Sequence, residues 1–145
     1  SGSLSEGNKL AQLMDRSITE VSAEDFGNCT TVYNFAFAYC TALTSVEMPS
    51  SVTTINNSAF FGCEKLASMT IPASVTSIGS AALRIGSATN KATIKMLGTT
   101  PPTLTGNPID VDSVSKIIVP KGCSSTYKNS SVWVNYANYI EEAAE

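Results

Sequence analysis

The sequence predicts a short solenoid of stacked coils, mostly strand and loop, with a short helix at each end. Three observations predict it: a 23-residue internal repeat, a proline stop at the same point of each repeat, and a composition that can build a core with few charges. The chain has 145 residues, about one domain's worth. Apolar residues make up 43% and charged residues only 14%, against about 25% charged in a typical soluble domain. Ser and Thr fill the gap with 36 residues.

The repeat is read from two adjacent windows that align without gaps. Residues 33–55 read YNFAFAYCTALTSVEMPSSVTTI, and residues 56–78 read NNSAFFGCEKLASMTIPASVTSI. Eleven of the 23 positions are identical, among them Phe37/Phe60, Cys40/Cys63, Leu43/Leu66, Pro49/Pro72, Val52/Val75 and Ile55/Ile78. One such unit cannot cover its own apolar face, so neighbours must stack to form a shared core.

The elements follow in chain order. Residues 5–14 (SEGNKLAQLM) offer Ser5 as an N-cap and Leu10, Leu13 and Met14 at i, i+3, i+4. This predicts a short amphipathic helix lidding the first coil, and residues 1–17 are read as an N-terminal capping segment. Ile18, Val21, Phe26 and Cys29 then repeat the spacing of Val52, Ile55, Phe60 and Cys63. Phe26 to Phe37 spans only 11 residues, so the first unit is expected to be truncated, with Val32 standing in for both Leu43 and Ile55.

In a full unit, Leu43, Val46 and Met48 (then Leu66, Met69 and Ile71) end in alternation, which predicts a short strand with one buried face. Pro49 and Pro72 close that strand because proline has no N–H for a ladder. Val52 and Ile55 turn inward after the stop. Ala36, Phe37 and Cys40 fill the far side of the coil. Stacking is expected to put Phe on Phe and to align Cys29, Cys40 and Cys63 as a column of buried thiols.

The unit reappears as Ala82-Leu83 and breaks at Arg84. The repeats are therefore assigned to residues 18–90, with the first truncated and the last degenerate. Residues 91–145 are read as terminal strands and a C-terminal helical cap. Within them, 92–97 is a strand with Ile94 and Met96 on one face, 103–108 is loop, and 116–120 is a strand stopped by Pro120. Residues 124–142 are expected to be helical, with Trp133, Tyr136 and Ile140 on the face that covers the last coil.

The string AFxxCxxLxSVxxPxSVTxI, which fits residues 36–55, resembles the BspA-type (Treponema-type) leucine-rich repeats. The closing pattern IIVPKG…YK…W…Y…YI is similar to the segment that ends such arrays. The resemblance implies a leucine-rich repeat solenoid, a right-handed superhelix that is mainly β with short helices at its caps. It also implies a non-enzymatic binding module of a secreted or cell-surface bacterial protein, an adhesin for a host extracellular protein or glycan. The same resemblance fits a structural spacer, or a receptor-binding module in a prophage tail-associated protein.

Composition excludes several chemistries. The chain has no His, which removes a Ser-His-Asp triad, a Cys-His dyad and His-ligated zinc. The cysteines, at 29, 40, 63 and 123, have no CxxC spacing. Asp110 and Asp112 share a loop but lack the further oxygen ligands of a calcium loop. No cofactor or metal is expected, and no catalytic residue can be assembled. Residues 1–64 carry a formal −5 and residues 65–140 carry +5, but the basic part has a single Arg and no patch suited to nucleic acid. The apolar runs are too short to span a bilayer.

Binding is the remaining function class. Ser45 and Glu47, matched by Ser68 and Thr70, lie between buried positions and are expected to face outward as a polar ladder for a partner. Tyr39 and Phe61, beside the buried Phe of each unit, are either exposed anchors or partly buried packing.

Overall fold

The computed structural model describes residues 16–144. The predicted helix over residues 5–14 lies outside them. The chain winds through successive coils, and each coil contributes a strand to two separate parallel arrays.

The first array contains β1 (Glu20–Val21), β3 (Ser45–Val46), β5 (Ser68–Ile71), β7 (Ala92–Met96), β9 (Val114–Val119) and β10 (Ile140–Glu142). β1 pairs with β3, while β5, β7, β9 and β10 form a four-stranded sheet. β3 lies beside β5 without being paired to it. The second array contains β2 (Thr31–Val32), β4 (Thr54–Ile55), β6 (Ser77–Ile78) and β8 (Thr103–Leu104), all parallel and in that order. It was not foreseen. Val52-x-x-Ile55 carries no alternation, and a two-residue strand leaves no periodic signal.

Register stacks like on like. Val21 faces Val46, and Met69, Ile94, Ile117 and Ile140 follow one another across the larger sheet. Val32, Ile55, Ile78 and Leu104 form the second column. Phe37 and Phe60 form the third, with ring centroids 5.2 Å apart and planes within 8° of parallel. Leu83 and Ile109 continue it: the Phe60 N–H donates to Ala82 O at 3.1 Å, and the Leu83 N–H to Pro108 O at 2.9 Å. All these residues are buried in one core.

The segment around each Phe is held by alternating amides. The N–H groups of Phe35, Phe37 and Tyr39 donate across to the carbonyls of Asn57, Ala59 and Phe61 of the next coil, at 2.7–3.2 Å. Between them, those of Ala36, Ala38 and Cys40 donate back three residues within their own coil. Ser58, Phe60 and Gly62 repeat the first set one coil on, and Ala59, Phe61 and Cys63 the second. This alternation forces positive φ at Phe35, Tyr39, Ser58, Gly62 and Ala81. Only glycine adopts that region without steric cost.

The excess of Ser and Thr is explained between the arrays. Thr53 Oγ1 donates to Thr30 O and Thr76 Oγ1 to Thr53 O, each at 3.2 Å. Ser51 Oγ donates to Cys29 O at 2.8 Å and Ser74 Oγ to Val52 O at 2.6 Å. Hydroxyls thus satisfy carbonyls of the preceding coil where the chain is turning, and a buried carbonyl without a partner would be costly.

Three readings of the sequence need correction here. First, Val21 occupies the place of Val46 rather than Ile55, and Val32 pairs with Ile55 alone. In this coil a four-residue helix, α1 (Ala23–Phe26), replaces the proline turn. It starts where Asp25 Oδ2 accepts from the Ser22 N–H at 2.9 Å. Phe26 is buried beside Phe37, but tilted at 54° and so outside the stacked rings. Second, the hydroxyl register puts Cys29 in the place of Val52, so it does not extend the Cys40–Cys63 pair. Ile85 does, through its bridge to Cys63. Third, Thr103–Leu104 is a strand rather than loop, and the coil it begins runs on to Ile109.

The C-terminal region closes the stack. Residues 124–142 are helical only in part: α2 (Ser124–Lys128), a 3-10 helix over Trp133–Tyr139, then β10, which pairs with β9. Edge pairing offers β9 a ladder that a last helical turn would not, and Ile140 enters the core as a sheet residue. Trp133 and Tyr136 are buried as expected. Trp133 Nε1 donates to Pro102 O at 2.8 Å, Tyr127 OH to Gly98 O at 2.6 Å, and Tyr136 OH to Ile109 O at 3.3 Å. The cap therefore covers apolar surface and satisfies three carbonyls of the last full coil. Glu142 joins α2 to β10 by accepting from the Ser124 N–H at 3.2 Å. Backbone donors at Gly122 and Ser124 hold its carboxyl below the usual range.

Phe60→Ala should cost about 3–5 kcal/mol in urea denaturation, the cost of deleting a ring from a filled core. A loss under about 1 kcal/mol would place Phe60 outside the shared column. Trp133→Phe, which keeps most of the ring but strands Pro102 O, should cost about 1–3 kcal/mol by the same measurement.

Candidate functional site

Charge and hydroxyl groups on the first array follow from strand alternation. Inward residues are fixed by the core, so the residues between them face out. Ser45, Glu47, Ser68 and Thr70 are all exposed. None of the four side chains makes a hydrogen bond with another described residue, which leaves their donors and acceptors to solvent. Register extends the ladder beyond these four. Glu20 precedes Ser45, while Thr93 and Lys116 follow Ser68. Lys95 and Ile118 follow Thr70. The face runs from acidic at β1 and β3, through hydroxyls, to basic at β7 and β9, and turns acidic again at the exposed Glu141 of β10.

The face is not flat. Where β3 and β5 lie side by side unpaired, a groove of about 530 Å³ opens. Val46, Met48, Pro72 and Leu97 give it apolar walls, and Glu47, Ser50 and Thr70 give it polar ones. The structure thus brings Glu47 and Thr70 together at a concavity and leaves Ser45 and Ser68 on the open ladder. Leu97, 47% exposed, was missed. Its only sequence signal was an apolar residue just beyond the last inward position of a strand.

A second surface lies on the turn segments. Tyr39 is 59% exposed and Phe35 52%. Phe61 is partly buried and meets Tyr39 edge-on, with centroids 5.5 Å apart and planes at 85°. Of the two alternatives for Tyr39 and Phe61, exposure holds for the first and partial burial for the second. Tyr39 lies over Gly62, where a Cβ would come within 2.9 Å of the Tyr39 ring. Beside Phe61 is a groove of about 320 Å³ lined by Glu64, Arg84, Ser87 and Asp110, among others.

The four cysteines are free. Cys29, Cys40 and Cys63 are buried, and Cys63 Sγ donates to Phe37 O at 3.1 Å. Burial pushes the Cys63 thiol up to about 12, and neighbouring Cys40 adds to the shift. Burial also raises the thiols of Cys29 and Cys40, although Arg16 opposes it at Cys40. These are protonated, inert core groups. Among the described residues no cluster of three metal-ligating side chains occurs, and no helix is long and apolar enough to cross a membrane.

Thiol-labelling with a disulfide reagent should modify Cys123 alone in the folded chain and all four cysteines in denaturant. Because Cys63 is favoured as the neutral thiol, its contribution is complete below the ordinary value of 9.0 and is lost as pH rises towards about 12. Stability measured by urea should fall over that alkaline window, and less steeply in Cys63→Ala.

No curated protein matches the chain. A family model does match, the BspA type leucine-rich repeat region in six copies, over residues 12–103. That span is more than half of the chain and contains strands β1 to β7 and the stacked Phe37 and Phe60 rings, so the chain belongs to the BspA-type leucine-rich repeat family, a family of repeat interaction modules.

Proposed function

We propose that the chain is a non-enzymatic recognition module of a bacterial surface or secreted protein, and that it binds a host extracellular protein across the first array of strands. The observation that carries this reading is the groove between β3 and β5. Its volume of about 530 Å³ falls within the roughly 300–1,000 Å³ of ligand sites, and it combines apolar walls with unpaired polar groups. Leu97 and Met48 offer the groove an apolar anchor point. Ser45, Glu47, Ser68 and Thr70 supply the polar rim that fixes a partner's orientation. From β1 to β9 the change from acidic to basic favours a partner segment with the opposite order of charge.

In this reading residues 18–90 carry the repeats of the array and the residues after 90 close it, with the coils wound as a right-handed superhelix. The family's association with cell surfaces supports an extracellular location.

Biolayer interferometry against extracellular-matrix proteins should give a saturable signal. Leu97→Asp and Glu47→Lys should each weaken it about tenfold, as loss of a central contact does. Silence across the panel would favour a structural spacer, or a prophage tail module with another receptor.

A further inference from the structure

The turn segments show large aromatic rings where the coil has least use for them. Positive φ recurs at Phe35, Ser58 and Ala81, one repeat apart, and again at Tyr39 and Gly62. Ser58, Ala81 and Gly62 show that the backbone requires only a small side chain there. Phe35 and Tyr39 instead carry rings that are more than half exposed and add nothing to the buried columns. A bulky residue held in this region while more than half exposed is an outlier of the kind that marks function.

Beside Tyr39 the groove at Phe61 is polar. Glu64 and Arg84 line it, together with Asp110. Asp110 Oδ1 accepts from the Asp112 N–H at 3.0 Å and Oδ2 from Ser113 Oγ at 3.4 Å, which leaves each carboxylate oxygen a further lone pair, and Arg84 reaches Asn107 O only at 3.5 Å, so both retain capacity for a ligand. Glu64 is exposed. Aromatic rings and Arg are shared with protein–protein contacts, but the cores of such contacts are depleted in Asp and Glu, and two carboxylates line this groove. Carboxylates that accept from hydroxyls, a guanidinium that donates to ring and hydroxyl oxygens, and ring faces that take C–H groups are together the chemistry that recognises a sugar. Glu64 and Asp110 stand against Arg84 in the same groove, which disfavours an anion and leaves no more than one negative charge unopposed, so a neutral ligand rich in hydroxyls is accommodated.

We infer that Tyr39, Phe61 and the groove formed by Glu64, Arg84 and Asp110 are a binding site for a neutral glycan, separate from the groove between β3 and β5. The site has room for a short segment of such a chain, in a volume of about 320 Å³ at the lower end of the range for ligand sites.

The test is a titration of the full chain, labelled for amide NMR, with maltotetraose, cellotetraose, chitotetraose and lacto-N-tetraose. At least one should shift amides around Gly62, Glu64 and Ser87 saturably. Tyr39→Ala, at an exposed position, should leave the fold's spectrum intact and weaken that binding about tenfold. Glu64→Gln should weaken it while leaving the aromatic surface unchanged. Leu97→Asp should not affect it, which separates this site from the sheet-face reading. The inference is overturned if none of the four sugars shifts these amides, or if the shifts survive Tyr39→Ala. It is equally overturned if Tyr39→Ala abolishes capture of a matrix protein while no sugar binds, which would make the surface a protein contact.

Discussion

Every second amide in the turn segments donates out of its own coil, and this one constraint fixes how all the coils sit. A donor at Phe37 must find an acceptor at Ala59, and one at Phe60 must find Ala82. Buried amides cannot be left unpaired without a penalty comparable to the bond itself. The coils are therefore held in one register, and the side chains on them have no choice but to stack. The Phe37–Phe60 ring pair is a consequence of that register as much as a cause of it. The dispersion and burial gained there, about 1.5–3 kcal/mol for each large apolar side chain, then make the backbone pattern worth keeping.

The same constraint explains how a repeat survives loss of its own motif. Leu83 and Ile109 replace Phe, and Ile85 replaces Cys, yet the column continues. The amide bonds that join the coils along this column involve only backbone atoms, so any apolar residue of fitting size will serve. The polar counterpart is the run of Ser and Thr hydroxyls on preceding carbonyls. It allows a chain with 14% charged residues to turn repeatedly without stranding acceptors. At the far end Trp133, Tyr127 and Tyr136 do the same with larger donors, and bring the apolar area needed to cover an open coil.

Function is left to whatever the core does not claim. On the strands that is alternation: the residues between inward ones are free, and the unpaired junction of β3 and β5 turns part of that face into a groove. On the turns it is the two positive-φ positions, where a side chain points away from the column and can vary without disturbing it. A solenoid of this type can thus present two chemically different surfaces, one of hydroxyls and charges and one of aromatic rings, on a single invariant core.

The sequence by itself determined the repeat length, the inward residues of each full unit, the proline stops and the outward direction of Ser45, Glu47, Ser68 and Thr70. All of these follow from local periodicity, which a single strand and its neighbours express directly. Tertiary structure decided the rest. It placed Cys29 at a valine position, matched Val21 to Val46, made strands of Thr54–Ile55 and Ile140–Glu142, and left Leu97 beside Glu47 and Thr70. Each of those depends on which coil lies next to which, and on how many residues separate them. Spacing along one chain cannot report a partner that is chosen by hydrogen bonds across coils.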